Sequence, residues 1–176
     1  MPEYNSFHMQ LLQEVQRGLR EDLRFQPEPD TDTSEIVSEA IVIRKVLPSR
    51  SEFPANTNEI TPGWLIAPGS KIPRPGSAGE NQVDIALYPI LLQLVDQDRD
   101  SLDRNLATYP WWQEQAARYF NHRFASYKIN NGGRCTRDSL AREVQVVDRK
   151  VFLQHALFRG GVEILVEVGE TRGAFQ

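Results

Sequence analysis

Val83-Asp-Ile-Ala-Leu-Tyr-Pro-Ile-Leu-Leu-Gln-Leu-Val95 is the longest apolar run in this 176-residue chain. From Ile85 onward both alternating positions are apolar, apart from Gln93, as expected for a strand covered on both sides. Pro89 has no N–H to give a ladder, so it belongs at an edge or a bulge. A helix here would carry Pro89 in mid-body, where the ring clashes with the preceding turn. The run therefore reads as a long, bulged strand, and the rest of the fold is arranged around it.

On its N-terminal side, Trp64-Leu-Ile-Ala67 is a short strand bounded by Pro62-Gly63 and Pro68-Gly69. Lys71 to Gln82, with Pro73, Pro75, Gly76 and Gly79, reads as a loop. Further back, the β-branched residues of Ala40–Val46 favour a strand. Ser6 to Arg24 places Phe7, Leu11, Leu12, Val15, Leu19 and Leu23 on one face of an amphipathic helix. Asn5 or Ser6 can cap this helix, and Pro27 and Pro29 end it. Gln26–Ser34 is a polar connector and Pro48–Asn58 an exposed loop.

On the C-terminal side, Asp98, Asp100 and Ser101 offer helix caps. Leu102–Tyr109 forms one helical piece. Pro110 opens a second that runs to about Phe124, with Trp112, Ala116, Tyr119, Phe120 and Phe124 on its apolar face. Ser126–Ala141 is polar and reads as a loop with a turn at Asn131-Gly132-Gly133. Strands follow at Val144–Val147, Val151–Phe158 and Val162–Val168, with Arg159-Gly160-Gly161 as a hairpin turn. The expected class is α+β: a mostly antiparallel sheet, two main helices on one face and a C-terminal hairpin. One domain spans 1–176, with the helix at 6–24, a core at 36–125, a loop at 126–141 and C-terminal strands at 144–169.

Composition narrows function less than fold. The apolar share of 40% and net charge of −4 are ordinary for a globular chain. That charge argues against a dedicated nucleic-acid binder, which draws its affinity from a basic face. The single cysteine, Cys135, rules out an internal disulfide and fits a reduced, cytosolic folding compartment. No apolar run approaches the roughly 20 residues that cross a bilayer. The start, Met1-Pro-Glu-Tyr, lacks the basic and apolar regions of a signal peptide.

No pattern points firmly to a reaction centre. His8, His122 and His155 share no metal-ligand spacing. Cys135, beside Arg134 and Arg137, is either a nucleophile with a lowered pKa or an ordinary thiol, and no protease signature surrounds it. Asp96, Asp98 and Asp100 could hold Mg²⁺ or Ca²⁺, but helix capping explains two of them and the glycine and glutamate of a calcium loop are missing. Gly76-Ser-Ala-Gly79 lacks the ending of a phosphate loop. These readings imply no catalytic residue, no metal and no cofactor.

The order of these elements resembles the tail terminators (tail-completion proteins) of tailed bacteriophages. The resemblance rests on the Ser6–Arg24 helix, the Pro62–Ala67 strand, and Val83–Val95 with Tyr88-Pro89-Ile90 at its centre. It also rests on the acidic turn Asp96–Asp100, the helix bearing Trp111-Trp112, and the ending Glu170-Thr171-Arg172-Gly173. It implies a virion structural protein, not an enzyme, made in the host cytoplasm and placed at the tail–neck junction. Copies would form a ring, usually a hexamer. Its partners would be the tail tube, the neck or connector protein and a sheath, while DNA passes through without specific binding. A different neck or head–tail connector protein, or a small α+β enzyme or ligand-binding domain with a concealed site, is the alternative.

Interfaces of such a ring would fall on loops: Arg50 and Phe53 in one, Lys71 and Arg74 in the next, and Tyr127, Lys128, Arg134 and Arg137 in the third. Deleting Lys128–Arg137 is then expected to spare the fold and abolish assembly.

Overall fold

The computed structural model describes residues 6–21, 41–43, 63–74, 83–97, 104–125, 127–130, 132–145 and 157–171. Helix α1 spans Phe7–Glu21 and α2 spans Arg104–Phe120. The strands are β1 (Ile41–Ile43), β2 (Gly63–Pro68), β3 (Ile72–Pro73), β4 (Val83–Gln97), β5 (Lys128–Ile129), β6 (Gly133–Cys135), β7 (Leu140–Gln145) and β8 (Leu157–Thr171). They make one sheet in the order β1-β2-β4-β8-β6-β5, with β3 beside β4 and β7 beside β8. Among the described strands, β1 and β2 alone run parallel. The class is α+β, with strands dominant.

The central pair is β4 and β8, each 15 residues long and matched from Val83↔Thr171 to Gln97↔Leu157. Alternate residues fill the core. Ala86, Tyr88, Ile90, Leu92 and Leu94 of β4 face the same way as Val162, Ile164, Val166 and Val168 of β8, and all are buried. Trp64 and Ile66 of β2 extend that surface opposite Leu94 and Leu92. Phe7, Leu11, Leu12, Val15 and Leu19 of α1 and Ala116, Tyr119 and Phe120 of α2 cover it. Burying each large aliphatic or aromatic side chain contributes about 1.5–3 kcal/mol. The helices meet at Gly18, where an added Cβ would lie 3.1 Å from the Tyr119 ring. Ser6 caps α1, its hydroxyl accepting from the Met9 N–H at 3.1 Å.

Pro89 is neither at a bulge nor at a sheet edge, because β4 pairs with β8 without a register shift. Its carbonyl faces the other neighbour and accepts the Gly69 N–H at 2.8 Å, just past the end of β2. In a strand the N–H and C=O of one residue point to the same side. The missing donor lies on that same side, so the Gly69–Pro89 pair keeps one of its two ladder bonds and the proline costs the sheet a single bond, at the end of β2.

Four further expectations change. The loop expected at Lys71–Gln82 contains β3, which pairs with β4. The helix expected in two pieces is continuous, with Pro110 inside it and one backbone bond given up. It ends at Phe120, not near Phe124. His122 turns into the left-handed region at φ 61° and gives its N–H to the Ser139 carbonyl at 2.9 Å. The buried Ser139 hydroxyl donates to the Phe120 carbonyl at 2.5 Å, satisfying one of the acceptors every helix C-terminus leaves over.

The third change concerns Gly160-Gly161, which lies inside β8 opposite Leu94 and Gln93 and makes no turn. There α2 comes close, and the Gln113 side chain donates to the Gly161 carbonyl at 2.8 Å. Glycine in a strand permits such an approach. The C-terminal hairpin is instead β7 with β8, and its connection at 146–156 lies outside the described residues. Finally, the region 126–141 is not a free loop. Gly132 of the expected turn does take a turn conformation, at φ 85°, and Gly133 begins β6, which pairs with β5 in the sheet; Asn131 lies outside the described residues. Ile129 and Cys135 from these strands are buried in the core. Deleting Lys128–Arg137 would remove both, so the expectation that the fold survives does not stand.

Candidate assembly interface

One face of the sheet carries the helices; the opposite face bears most of the cations expected at an interface. The alternation of β5 and β6 decides this. Ile129 and Cys135 point into the core, so Lys128 and Arg134, which are paired across the two strands, point out the other way and are exposed. Arg134 lies opposite Gly169 of β8, and Gly169 opposite Ile85 of β4. The next residue in this row is Arg74, whose N–H donates to the Ile85 carbonyl at 3.0 Å. Two segments more than 50 residues apart in sequence thus meet in one row across the sheet.

Glu167 of β8 anchors the row. Its side chain is only 9% exposed, with Arg74 Nε at 3.2 Å and Arg137 Nη2 at 3.0 Å from Oε2. The Thr136 hydroxyl donates to Oε1 at 2.6 Å. Arg142 of β7 pairs with Glu163 on the same face, Nε to Oε2 at 2.8 Å. Among the described residues no carboxylate pairs with Lys128 or Arg134. Among the described residues, five cations stand against two carboxylates on this face, in a chain whose net charge is −4. Apolar side chains lie beside the charge: Ile72 is 47% and Leu140 51% exposed, and Leu87 and Leu165 are half-buried between them.

The remaining candidates separate. Lys71 turns to the helix side, where Nζ lies 2.6 Å from Glu170 Oε1 and 5.3 Å from the centre of the Tyr88 ring. The Tyr88 hydroxyl donates to the same carboxylate. Burial and this carboxylate push the Tyr88 phenol far above its ordinary pKa. Tyr127 packs edge-on against Phe124, ring centres 5.9 Å apart, and is half-buried at the margin of the core, with burial the main cause of its raised pKa. Arg50 and Phe53 lie outside the described residues.

The chemistry considered from sequence can be placed in part. Cys135 is buried, and burial pushes its thiol up to about 12, the opposite of an activated nucleophile. His122 lies 3.3 Å from Asp138 at the surface. His8 Nε2 donates to the Pro89 carbonyl at 2.8 Å, and burial lowers its pKa. His155, Asp98 and Asp100 lie outside the described residues. Among the described residues no three His, Cys, Asp or Glu side chains gather as a metal site would require, and no helix is long and apolar enough to cross a membrane.

Sequence reasoning missed Glu167, Thr136 and Ser139. Glu167 had a signal: it alternates with core valines on a strand, so a charge there needed partners across the sheet. Set against models of known protein families and against curated proteins, the chain matches none.

Proposed function

We propose that this chain is a virion structural protein of a tailed bacteriophage, a tail terminator whose copies close into a ring on the last ring of the tail tube. The observation that carries the reading is the sheet face away from the helices. It sets exposed Ile72 and Leu140 beside Lys128 and Arg134. Exposed apolar side chains ringed by charge are what a protein–protein surface needs: an apolar centre that loses water and a polar rim. The resemblance in element order supports the specific assignment. That resemblance rests on the N-terminal helix, the long strand carrying Tyr88-Pro89-Ile90 and the helix bearing Trp111-Trp112, in that order along the chain.

A ring needs head-to-tail contacts between unlike surfaces whose rotation closes. Among the described residues the sheet ends in β1 on one side and β5 on the other, two unlike flanks. The neighbours along the particle axis would be the tail tube on one side and the neck or connector protein on the other. The test is to add the purified chain to tail-tube protein and image the product by electron microscopy. Rings seated on tube ends, with tube growth arrested, are the expected result. Tubes that grow to the same length with bare ends would refute the reading.

A further inference from the structure

We infer that Ser70–Arg74, the segment carrying β3, is an ionic strap that opens as a unit while the rest of the sheet stays folded. Two glutamates of β8 hold it shut from opposite faces. Closed, the strap covers the edge of β4 between Ile85 and Leu87; open, it bares that edge. The inference stands apart from the ring proposed above.

Burial supplies the first reason. All five residues of the strap are exposed, so it adds no side chain to the core. The strand before it, β2, buries Trp64, Ile66 and Ala67. The ladder of the strap is short: Ile72 pairs with Leu87 and Pro73 with Ala86, and the Arg74 N–H donates to the Ile85 carbonyl at 3.0 Å. Pro73 has no N–H to give. Segments with little buried apolar surface open locally, far below the cost of unfolding the whole domain. The chain is fixed just before the strap, because Gly69 N–H and His8 Nε2 both donate to the Pro89 carbonyl, each at 2.8 Å. Motion therefore starts at Ser70.

Charge supplies the closure. Glu167 and Glu170 are three apart on β8, so strand alternation aims them at opposite faces. On the helix side Glu170 Oε1 lies 2.6 Å from Lys71 Nζ, and on the outer face Glu167 Oε2 lies 3.2 Å from Arg74 Nε. Both pairs reach past β4, one over each side, and clamp the strap between them. The cations are 43% and 44% exposed and the glutamates 14% and 9%, so the glutamates stay in place and the cations can leave to water. Each glutamate keeps a partner when they do: Arg137 and the Thr136 hydroxyl for Glu167, the Tyr88 hydroxyl for Glu170. Opening therefore strands no carboxylate, which keeps its cost low. An uncovered strand edge pairs readily with other chains, so the closed strap guards β4.

The test is native-state hydrogen exchange of the full chain, read by NMR at the amide of position 74, with amides in the middle of β4 and β8 as the reference. At about 50 mM salt the position-74 amide should exchange at least about tenfold faster than the reference, at a rate that urea below about 1 M leaves unchanged, while exchange of the reference rises with urea. Raising salt to about 500 mM should speed it about fivefold as the two pairs are screened. Lys71→Gln with Arg74→Gln should speed it to a similar extent at low salt and abolish the salt response. Both side chains are exposed, so the fold should survive, as circular dichroism checks.

A position-74 amide that exchanges with the rate and urea dependence of the reference would overturn the inference, since the strap would then open only with the whole sheet. A local opening that neither salt nor the variant alters would overturn the ionic clamp. The salt measurement uses the unaltered chain, so the inference can be refuted even if the variant fails to fold. Either refutation leaves the ring reading standing, which imaging on tail tubes tests by itself.

Discussion

Replacing Glu167 by glutamine isolates the ionic contribution that ties three segments of the sheet together. The amide keeps the shape and an acceptor for the Thr136 hydroxyl, which donates at 2.6 Å, so that bond is largely conserved. What is lost is the charge facing Arg74 and Arg137 at 3.2 and 3.0 Å. Both arginine side chains are nearly half exposed, at 44% and 45%, so each pair is worth about as much as a well-placed surface pair, roughly 0.2–1 kcal/mol. Removing the shared carboxylate also leaves two guanidinium groups close together without their counter-charge. The expected destabilisation is about 1–2 kcal/mol, or about 3–6 °C in melting temperature for a domain of this size. Urea unfolding should show a lower midpoint with an unchanged slope. The same substitution made in an Arg74→Gln, Arg137→Gln background should cost much less, since the partners are already gone. A loss below about 0.3 kcal/mol, or an equal loss in both backgrounds, would refute the view that these pairs hold β3 and the 136–139 segment to β8.

Two other substitutions probe the neighbourhood of Pro89. His8 carries a pKa lowered chiefly by burial, from an ordinary value of 6.5. The unfolded chain therefore takes up the proton first as pH falls, so stability rises with pH between the folded value and 6.5 and is lost on acidification through that window. His8→Gln, which can still donate to the Pro89 carbonyl, should lose less stability than the wild type between about pH 7.5 and 5.5 in urea titrations, and equal losses would count against a buried, neutral His8. Gly69→Ala would bring a Cβ to 2.7 Å from Pro89 Cβ, a contact that neither rigid group can turn away from. Calorimetry should record a destabilisation of about 1–3 kcal/mol, and a wild-type melting temperature would mean the β2–β3 junction is looser than described.

The elements most legible in the sequence were those whose apolar period is long. Phe7 to Leu19 recurs at helical spacing, and every residue of that series among the described ones is buried. Val83–Val95 was readable because both of its faces are apolar. What could not be read was how glycine and proline behave once a partner is present. Gly132-Gly133 and Gly160-Gly161 are the same dipeptide. One makes a turn at φ 85°; the other is extended between β4 and an approaching helix. The difference lies in Gln113, 48 residues away, which reaches the Gly161 carbonyl, and no local pattern encodes that contact. Pro89 and Pro110 teach the same lesson. Local grounds gave Pro89 a bulge or an edge and Pro110 a helix start, yet the strand runs through Pro89 without a register shift and the helix runs through Pro110. The strand keeps Pro89 because only the reciprocal bond of its pair with Gly69, at the end of β2, is given up.

The candidate site was legible by residue type and illegible by position. Lysines and arginines in polar segments are what a contact surface needs, and Lys71, Arg74, Lys128, Arg134 and Arg137 were picked out on that ground alone. Which of them face together depends on strand alternation inside a segment that has almost no apolar period to reveal it. Lys-Ile at 128–129 and Gly-Arg-Cys at 133–135 are too short to announce a strand. Once paired they are decisive, because burying Ile129 and Cys135 on one side forces Lys128 and Arg134 to the other. The same step separates Lys71 from Arg74, since β3 lies between them and Lys71 is drawn to Glu170 on the helix side. A basic face on an acidic chain thus arises from register, and register also explains why charge reversal at Lys128 and Arg134 can alter assembly without touching the core. These side chains contribute nothing to the buried cluster that Ile129 and Cys135 complete, so a loss of association on their reversal would report on the face and not on the fold.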